Sequence, residues 1–512
     1  MWISLDADSP LSLNRQISAQ IRELILRGHL AAGDRLPSTR QLGKELHVAR
    51  STVIEAYDQL LAEGYLESQR GSGTHVAQGI RPQPQVCGQK STTDEHAHDD
   101  SRADPPGLVN FQSGIPALEH FPAAEWGRLY RQVCDTLPAS ALRYCRPQGV
   151  AELQEAIAGW LLRMRGLRAA PEQVMITTGA TQGLRLVARL LNRPNALAIV
   201  EDPVHRGLVE VISRAGYAIE GITADAQGMD VSRLQNLSEQ TTQRCAFVYV
   251  TPSHQYPTGG ILSAQRRQAL VDFARQRDCM VVEDDYDGEF RFEGTPVSAL
   301  RELAPDRGIY IGSFSKILAP ALRLGFAVIP PDMVRPWAEE KQYTDVHTDA
   351  LSQRTLAAFI SSGGLERHIW RMCKLYKGKR LFLLECLRRY FGDCFTASGQ
   401  AAGLHLVAGF PGILFSDKVL AAMRAQGVRA VPVEHHSLCR NGAHAHELIL
   451  GYAHLSEQSM ERGVQALKEA LAQGADSFNG ISFFARHSAV CRPAAFQSPR
   501  RARIDRMPAM RQ

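Results

Sequence analysis

The sequence predicts two folded units of different class, a small α+β module followed by a larger α/β domain. Residues 10–77 show three stretches of apolar residues at helical spacing and then a glycine-containing hairpin signal. Residues 108–474 alternate short β-rich runs with helical patterns, which indicates a mostly parallel sheet covered by helices. The intervening residues 78–107 are rich in Gln, Pro, Ser, Asp and His, a composition typical of a flexible linker.

Composition excludes several classes of protein. The 512 residues are 44% hydrophobic and 22% charged, as in soluble globular proteins, and suffice for two or three domains. No run approaches the roughly 18 apolar residues of a membrane span, and the N-terminus has no signal-peptide pattern, so we expect a cytoplasmic protein without membrane partners. The 10 cysteines include no CxxC pair, which favours reduced thiols over zinc or disulfides. Residues 475–512 lose the apolar pattern and, with many arginines, predict a disordered basic tail.

The first two helices of the small module follow from spacing and caps. Leu13, Ile17 and Ile21 recur at helical intervals, and Gly28 marks the end of that helix. Ser38, which follows a proline, is a predicted N-cap for the second helix, because its hydroxyl can accept a bond from a free amide of the first turn.

The third helix and the hairpin complete a winged helix-turn-helix order. The helix begins near Arg50 and offers its first side chains, Arg50, Ser51 and Thr52, to a major groove. Hydroxyls and helix N-terminal amides suit phosphate oxygens, while an arginine also reaches guanine edges. A hairpin is predicted over residues 65–76, with its turn at the Arg-Gly-Ser-Gly that begins at Arg70. The alternative is a small packing or dimerisation module with surface arginines.

The segment LPSTRQLGKELHVARSTVIEAYDQLLAEGYLESQRGSGTHV resembles the helix-turn-helix and wing of the GntR family nearly throughout. This resemblance implies binding to double-stranded DNA. The expected DNA-contacting residues are Ser38, Arg40, Arg50, Ser51, Thr52, Arg70 and Gly71.

In the larger domain, side chains that can take part in chemistry lie at the ends of the predicted buried strands. Ligands of parallel sheets bind beyond the carboxyl ends of the strands. Lys316 comes just after the strand that ends at Ser313, and Asp284 and Tyr286 lie at the end of the strand that begins at Met280. A lysine amine can bond an aldehyde, a carboxylate can keep a ring nitrogen protonated, and a phenol can bond a ring oxygen. These groups are what pyridoxal phosphate (PLP) requires.

A phosphate group also has candidate partners. Thr178 precedes a predicted strand-to-helix turn whose free amides and dipole favour an anion. Hydroxyls and a guanidinium near the lysine can add hydrogen bonds and positive charge. The expected phosphate-binding residues are Gly179, Ala180, Thr181, Ser313, Ser315 and Arg323.

From about residue 109 to 473 this order of residues resembles the fold-type I aminotransferases. The segment VTPSHQYPTGGILSAQRRQALVDFARQRDCMVVEDDYDGEF, together with the N-terminal module, is similar to the MocR-type subfamily of GntR regulators, across about nine-tenths of the chain. The resemblance implies a PLP-binding transcription factor in which Lys316 bonds the cofactor, Asp284 faces the ring nitrogen and Tyr286 the ring oxygen. It also implies a domain-swapped homodimer, in which Tyr144 reaches the phosphate of the neighbouring subunit.

One departure from this pattern concerns the group that stacks on the cofactor ring. Such regulators usually have Gly-Tyr after Glu-Asp-Pro, whereas this chain has Val204-His205. A neutral imidazole can also stack, so we expect His205 to take the place of the tyrosine. The alternative is a surface loop histidine.

A second departure concerns the effector. Enzymes of this fold hold the substrate α-carboxylate with an arginine near a C-terminal strand, but the corresponding stretch, His446 to Tyr452, has none. Without that clamp, transamination of an amino acid loses orientation and affinity. We therefore expect a regulator, not an enzyme, with PLP, an amine or an amino acid as effector. The alternative hypothesis is an active aminotransferase with an appended DNA-binding domain.

Other groups remain candidates for holding a carboxylate. We expect no metal site among the histidines of this region, because they have no metal-ligand spacing. The candidate carboxylate partners are Arg429, Arg440, His435, His436, His444 and His446.

Overall fold

The structure is a computed structural model, and it separates into two compact units, residues 1–102 and 103–512. The residues that it describes are 3–6, 9, 11–69, 72–79, 105–234, 243–294 and 297–475. The predicted basic tail beyond residue 475, most of the predicted linker, and both Arg70 and Gly71 lie outside these residues.

The first unit is the predicted arrangement of three helices and a hairpin. Its elements are α1 (Leu13–Leu26), α2 (Thr39–Glu45), α3 (Arg50–Ala62), β1 (Leu66–Gln69) and β2 (Gly73–Val76). The two strands pair antiparallel, with Leu66 opposite Val76.

A single apolar core joins these elements. Ile17 and Ile21 of α1 are fully buried against Val53 and Leu60 of α3, and Val76 of the hairpin closes the cluster. Burial of each such side chain stabilises the fold by roughly 1.5–3 kcal/mol. The helices are therefore held by packing of one apolar face, as their spacing predicts.

The second unit is an α/β domain with a smaller C-terminal layer. Its helices and strands are, in chain order, β3 (Val109–Asn110), α4 (Ala123–Thr136), α5 (Ala151–Arg165), β4 (Val174–Thr177), α6 (Ala180–Leu191), β5 (Ala196–Asp202), α7 (Arg206–Arg214), β6 (Ala218–Asp225), β7 (Gly228–Met229), β8 (Arg244–Val250), α8 (Ala264–Gln276), β9 (Met280–Asp285), β10 (Gly308–Ser313), β11 (Gly325–Val328), α9 (Val334–Asp345), α10 (Ala350–Ser361), α11 (Gly364–Phe391), β12 (Thr396–Ser398), β13 (His405–Gly409), α12 (Asp417–Ala425), β14 (Val428–Arg429), β15 (Val431–Pro432), β16 (Glu447–Gly451) and α13 (Glu457–Ala475).

The large sheet has the strand order β4-β11-β10-β9-β8-β5-β6-β7. Its central strands, from β10 through β6, pair parallel. Strand β11 runs antiparallel to both of its neighbours, and β7 runs antiparallel to β6. The prediction of a mostly parallel sheet is therefore confirmed. A separate antiparallel sheet, β12-β13-β16-β15, lies in the C-terminal part.

Helices cover both faces of the large sheet. In β9, Val281 packs in one apolar cluster with Leu270 of α8, whereas its neighbour Val282 packs in another with Val187 of α6. Successive strand residues point to opposite faces, so a strand covered on both sides is apolar throughout. None of the described helices is long and apolar enough to cross a bilayer.

Candidate functional site

The carboxyl ends of β9 and β10 open into a cavity of about 270 Å³. Its walls contain ten of the eleven side chains or backbone positions that the sequence predicts for cofactor binding. These are Gly179, Ala180, Thr181, His205, Asp284, Tyr286, Ser313, Ser315, Lys316 and Arg323. Residues that are up to 144 positions apart in the chain therefore meet at one sheet edge, as parallel strands require.

Lys316 follows β10 and enters the cavity beside a glycine. A Cβ placed on Gly114 would lie 3.0 Å from the Lys316 Nζ atom, so a larger residue there would collide with the amine. Burial lowers the pKa of Lys316, although the carboxylates of Asp287 and Asp284 oppose this effect. A lowered pKa increases the fraction of neutral amine, which is the form that attacks an aldehyde.

Asp284 offers one unpaired oxygen to the cavity. Its Oδ2 accepts a hydrogen bond from the Tyr249 hydroxyl at 2.7 Å, while its buried Oδ1 has no partner among the described residues. Burial raises the pKa of Asp284 to about 7. A buried oxygen of this kind needs a donor, and a protonated ring nitrogen would supply both the donor and a compensating charge.

Tyr286 belongs to a buried network with a histidine and a second carboxylate. Its hydroxyl lies 3.0 Å from His254 Nδ1, and that nitrogen lies 3.0 and 3.1 Å from the two Asp287 oxygens. Burial lowers the pKa of His254, but the contacts with Asp287 outweigh it and the net shift is upward. The Tyr286 phenol is thus held beside a His–Asp pair at the cavity wall.

The opposite end of the cavity is suited to an anion. Gly179 precedes α6 with a φ of 131°, a conformation that favours glycine, and the amides of the first helical turn follow it. A Cβ on Gly179 would lie 3.3 Å from Arg323 Nη2, so the guanidinium is close to these amides. Ser313 Oγ accepts a hydrogen bond from the Ser315 amide at 3.2 Å. Amides, hydroxyls and a fixed positive charge converge as a phosphate requires.

His205 and Tyr144 differ in position. The His205 ring lines the cavity, with its centroid 5.4 Å from that of Tyr256 and 6.0 Å from that of His436. Tyr144 is 86% exposed and lies by His347, in a separate surface depression. Its own chain therefore does not bring Tyr144 to Lys316, and its predicted place in a neighbouring subunit stays a prediction.

Five of the seven predicted DNA-contacting residues lie at the starts of α2 and α3, and the other two, Arg70 and Gly71, lie outside the described residues. Ser38 caps α2 by accepting a hydrogen bond from the Gln41 amide at 3.2 Å. Arg40, Arg50 and Ser51 are exposed, and Thr52 is half-buried. Arg50 Nε donates to Thr39 Oγ1 at 3.3 Å, which links the two helix starts. Their contact with DNA stays a prediction.

Comparisons with known proteins agree with this two-part organisation. Residues 13–76 match the family of bacterial regulatory proteins named gntR, and residues 106–467 match the family "aminotransferase class I and II". The chain is 34% identical to the "Probable rhizopine catabolism regulatory protein MocR" of Rhizobium meliloti, over 91% of this chain and 95% of that one.

The chain belongs to the MocR-type subfamily of GntR regulators.

Other relatives support the same assignment. The "HTH-type pyridoxine biosynthesis transcriptional regulator PdxR" of Corynebacterium glutamicum is 32% identical over 92% of this chain and 99% of its own. The solved structure of the α-aminoadipate aminotransferase LysN from Thermus thermophilus, complexed with N-(5'-phosphopyridoxyl)-L-leucine, superposes with a TM-score of 0.66 and 29% identity. It covers 73% of this chain and 94% of that one. The fold of the second unit is therefore that of a fold-type I aminotransferase, and PLP is its cofactor.

The residues of this MocR-type chain fit that cofactor. Three features fit a polar cofactor, namely the unpaired Asp284 oxygen, the half-buried lysine and the anion-binding turn at Gly179. Each would cost free energy in a pocket that held only apolar groups, because a buried polar group without a partner is unfavourable. PLP, when bound, supplies an electron-accepting ring and an aldehyde. Lys316 would present its amine, Asp284 would accept from the ring nitrogen, and the first turn of α6 with Arg323 would hold the phosphate.

Sequence reasoning missed several residues of the cavity wall. Asp287, Tyr249 and His405 all line it, yet none stood out as a site residue in the sequence. Asp287 directly follows Tyr286, so its place in the same loop was a usable signal. Tyr249 and His405 lie in or at strands distant in sequence, and only the fold brings them to Asp284 and Asp287.

The candidates for replacing the missing carboxylate arginine do not line the cavity that contains Lys316. Arg429, Arg440 and His435 are exposed, and His444 instead bonds Glu447 through Nδ1 at 2.7 Å. His446 Nδ1 bonds the Ile413 carbonyl oxygen at 2.8 Å. Neither these residues nor the buried His436 lines the cavity with Lys316. Among the described residues there is also no group of histidines, cysteines and carboxylates that could hold a metal ion.

Proposed function

We propose that this protein is a transcriptional regulator in which PLP, or an amine that binds beside it, changes how the DNA-binding module engages an operator. The observation that carries the proposal is a cavity lined by Lys316 and Asp284, with Arg323 as its only arginine among the described residues, on a chain that also has a GntR module. Coupling of this kind requires that the effector bind the DNA-competent and DNA-incompetent states with different affinity.

The proposal includes a domain-swapped homodimer. Tyr144 and Leu142, 86% and 68% exposed, line one surface depression, and a second subunit would cover this apolar pair. A dimer would contain two DNA-binding modules and two cofactor sites. A change at the cofactor sites would then alter the DNA binding of both modules together. Operators of such dimers consist of two half-sites.

An active aminotransferase is the second candidate. It is favoured by the completeness of the cofactor cavity and by the likeness to a solved aminotransferase. Among the described residues that line the cavity, however, Arg323 is the only arginine, and it lies by Gly179 at the phosphate end. Productive turnover of amino acids needs a second guanidinium for the substrate carboxylate. We therefore expect no full transaminase activity.

The test combines a spectrum with DNA retardation. Purified full-length protein is titrated with PLP, and its visible absorption is compared with that of Lys316→Ala and of the exposed control Lys418→Ala. We expect the protein-bound PLP band in the unsubstituted and control proteins only. Retardation of the DNA upstream of its own gene should then change with PLP. Steady turnover of an amino acid with a keto acid would instead establish the enzyme.

A further inference from the structure

The cavity has an uneven distribution of charge. Among the described residues, its lining contains two carboxylates, Asp284 and Asp287, and two cations apart from histidine, Lys316 and Arg323. Arg323 lies next to Gly179, at the end suited to phosphate. The other end of the cavity, beyond Lys316, therefore has the Asp287 carboxylate in its wall and, among the described residues, no guanidinium.

His405 adds a hydrogen-bond acceptor to the same wall. Burial, and then the nearby His254, lower the pKa of His405 to about 4, so the ring is neutral at physiological pH. Its Nε2 lies 2.9 Å from the Pro257 carbonyl oxygen, a contact that only an N–H group can make favourably. The proton is thus on Nε2, and Nδ1 carries a lone pair that accepts.

Asp287 and His405 flank the same histidine. The His254 and His405 ring centroids are 5.3 Å apart, and His254 Nδ1 contacts both Asp287 oxygens. The loop before β13 approaches this group closely, because a Cβ on Gly403 would lie 2.4 Å from Asp287 Oδ2. The three side chains are almost fully buried, so their arrangement is fixed by packing.

We propose that the effector is a primary amine that bears no carboxylate and carries a hydroxyl or second amino group, held by Asp287 and His405. This inference rests on the proposed function, since it assumes a PLP-loaded regulator. A carboxylate only accepts hydrogen bonds, so it would face other acceptors without a partner, whereas a hydroxyl or ammonium group donates to them. Although Asp287 already contacts His254, its carboxylate and the acceptor Nδ1 of His405 would disfavour a second carboxylate at this wall.

Matched ligand pairs test the proposal on the intact protein. Full-length protein loaded with PLP is titrated with glycine and ethanolamine, and separately with L-serine and serinol, which differ only by exchange of the carboxylate for a hydroxymethyl group. The readouts are the visible spectrum and operator retardation. We expect each amino alcohol to bind at least about tenfold more tightly than its amino acid. Equal or tighter binding of the amino acids would overturn the proposal.

Substitutions of Asp287 and His405 test whether these two residues cause the preference for amino alcohols over amino acids. Asp287→Asn and His405→Phe should reduce the preference for serinol over L-serine towards parity, because the first replaces an acceptor oxygen by a donating amide and the second removes the acceptor nitrogen. The control His435→Phe changes an exposed histidine outside the cavity and should keep the full preference. If both cavity variants load PLP but retain the preference, the assignment to Asp287 and His405 is wrong.

Two further outcomes separate this inference from the proposed function. If PLP loads and alters operator retardation while no amine or amino acid changes either readout, PLP itself is the effector, and only the inference fails. If PLP does not load at all, the proposed function fails and the inference fails with it.

Discussion

At the scale of single residues, the main feature of the candidate cofactor site is a carboxylate oxygen of Asp284 that has no hydrogen-bond partner among the described residues. One of its oxygens is satisfied by Tyr249 and the other is buried without a partner among the described residues. An uncompensated buried carboxylate has a raised pKa, and that of Asp284 is raised to about 7 by burial. Binding of a protonated ring nitrogen would stabilise the ionised form and remove the cost of the unpaired oxygen.

Replacement of this carboxylate should weaken cofactor binding. We expect Asp284→Asn to raise the dissociation constant for PLP at least about tenfold, since the amide cannot stabilise a protonated ring nitrogen by charge. The measurement is a titration monitored by visible absorption. Asp272→Asn, at an exposed position of α8, is the matched control and should bind PLP normally. Unchanged affinity in Asp284→Asn would remove Asp284 from the site.

The charge around Lys316 predicts a pH dependence. Burial lowers the pKa of Lys316, and the carboxylate of Asp287 works against that shift. Below this pKa the amine is protonated and does not attack, so the rate of PLP loading should fall as the pH decreases. Asp287→Asn removes the opposing charge and lowers the pKa further. Its loading rate should therefore persist to lower pH than that of the unsubstituted protein.

Rates of PLP loading measured by stopped-flow absorption across a pH series check this prediction. The midpoint of the profile should move to lower pH in Asp287→Asn and stay in place in Asp272→Asn. A shift of the midpoint to higher pH would contradict the electrostatic account.

At the scale of elements, the start of α3 is the predicted DNA-reading end of the first unit. Its N-cap is Ala49, whose side chain cannot satisfy the free amides of the first turn. Free amides and the positive end of the helix dipole favour phosphate oxygens, and the exposed Arg50 and Ser51 stand beside them. The start of α3 is therefore exposed for a ligand, whereas Val53, Ala56 and Leu60 further along the helix are buried in the core.

Removal of the arginine should affect DNA and spare the cofactor. We expect Arg50→Ala to weaken operator binding by roughly 1–3 kcal/mol if the side chain reaches a base edge, with the PLP spectrum unchanged. Retardation at several salt concentrations measures both the affinity and its salt dependence. Arg335→Ala removes a charge that is 90% exposed in the other unit and serves as the control. Simultaneous loss of DNA binding and PLP binding in Arg50→Ala would contradict two separable modules.

At the scale of the whole molecule, Tyr144 is predicted to connect the cofactor site with subunit association. It lies outside the Lys316 cavity of its own chain and is largely exposed. If it completes the phosphate site of a second subunit, substitutions in two different chains should complement each other. This arrangement is what the resemblance to fold-type I aminotransferases implies.

Mixed dimers test the arrangement. Lys316→Ala and Tyr144→Ala chains each have two defective sites as homodimers, whereas a mixed dimer has one site with both residues intact. We expect unfolding and refolding of an equimolar mixture to restore high-affinity PLP binding to about half of the sites in the mixed dimers. Absence of recovery, with a mixed dimer present in native mass spectrometry, would place Tyr144 outside the partner's site.

The sequence by itself determined the classes of the two units and predicted ten residues that the fold brings into one cavity wall. Caps, period and the Gly-Ser-Gly turn predicted the order of helices and hairpin in the first unit, because these signals act within a few residues. Lys316, Asp284 and Tyr286 were predicted because each lies at or just after the carboxyl end of a buried strand, and parallel strands bring these ends to one edge. The absence of an arginine from residues 446–452 was visible as well.

Only the tertiary structure decided which other groups face the cofactor. Tyr249 and His405 belong to different sheets, and their approach to Asp284 and Asp287 depends on long-range packing that no local pattern encodes. The fold also sets the pKa values of two histidines. Burial and the neighbouring His254 lower the pKa of His405, whereas the contacts with Asp287 outweigh burial and raise the pKa of His254. The sequence shows that the carboxylate clamp is missing. The fold shows that the wall beside Lys316 contains hydrogen-bond acceptors, Asp287 and His405.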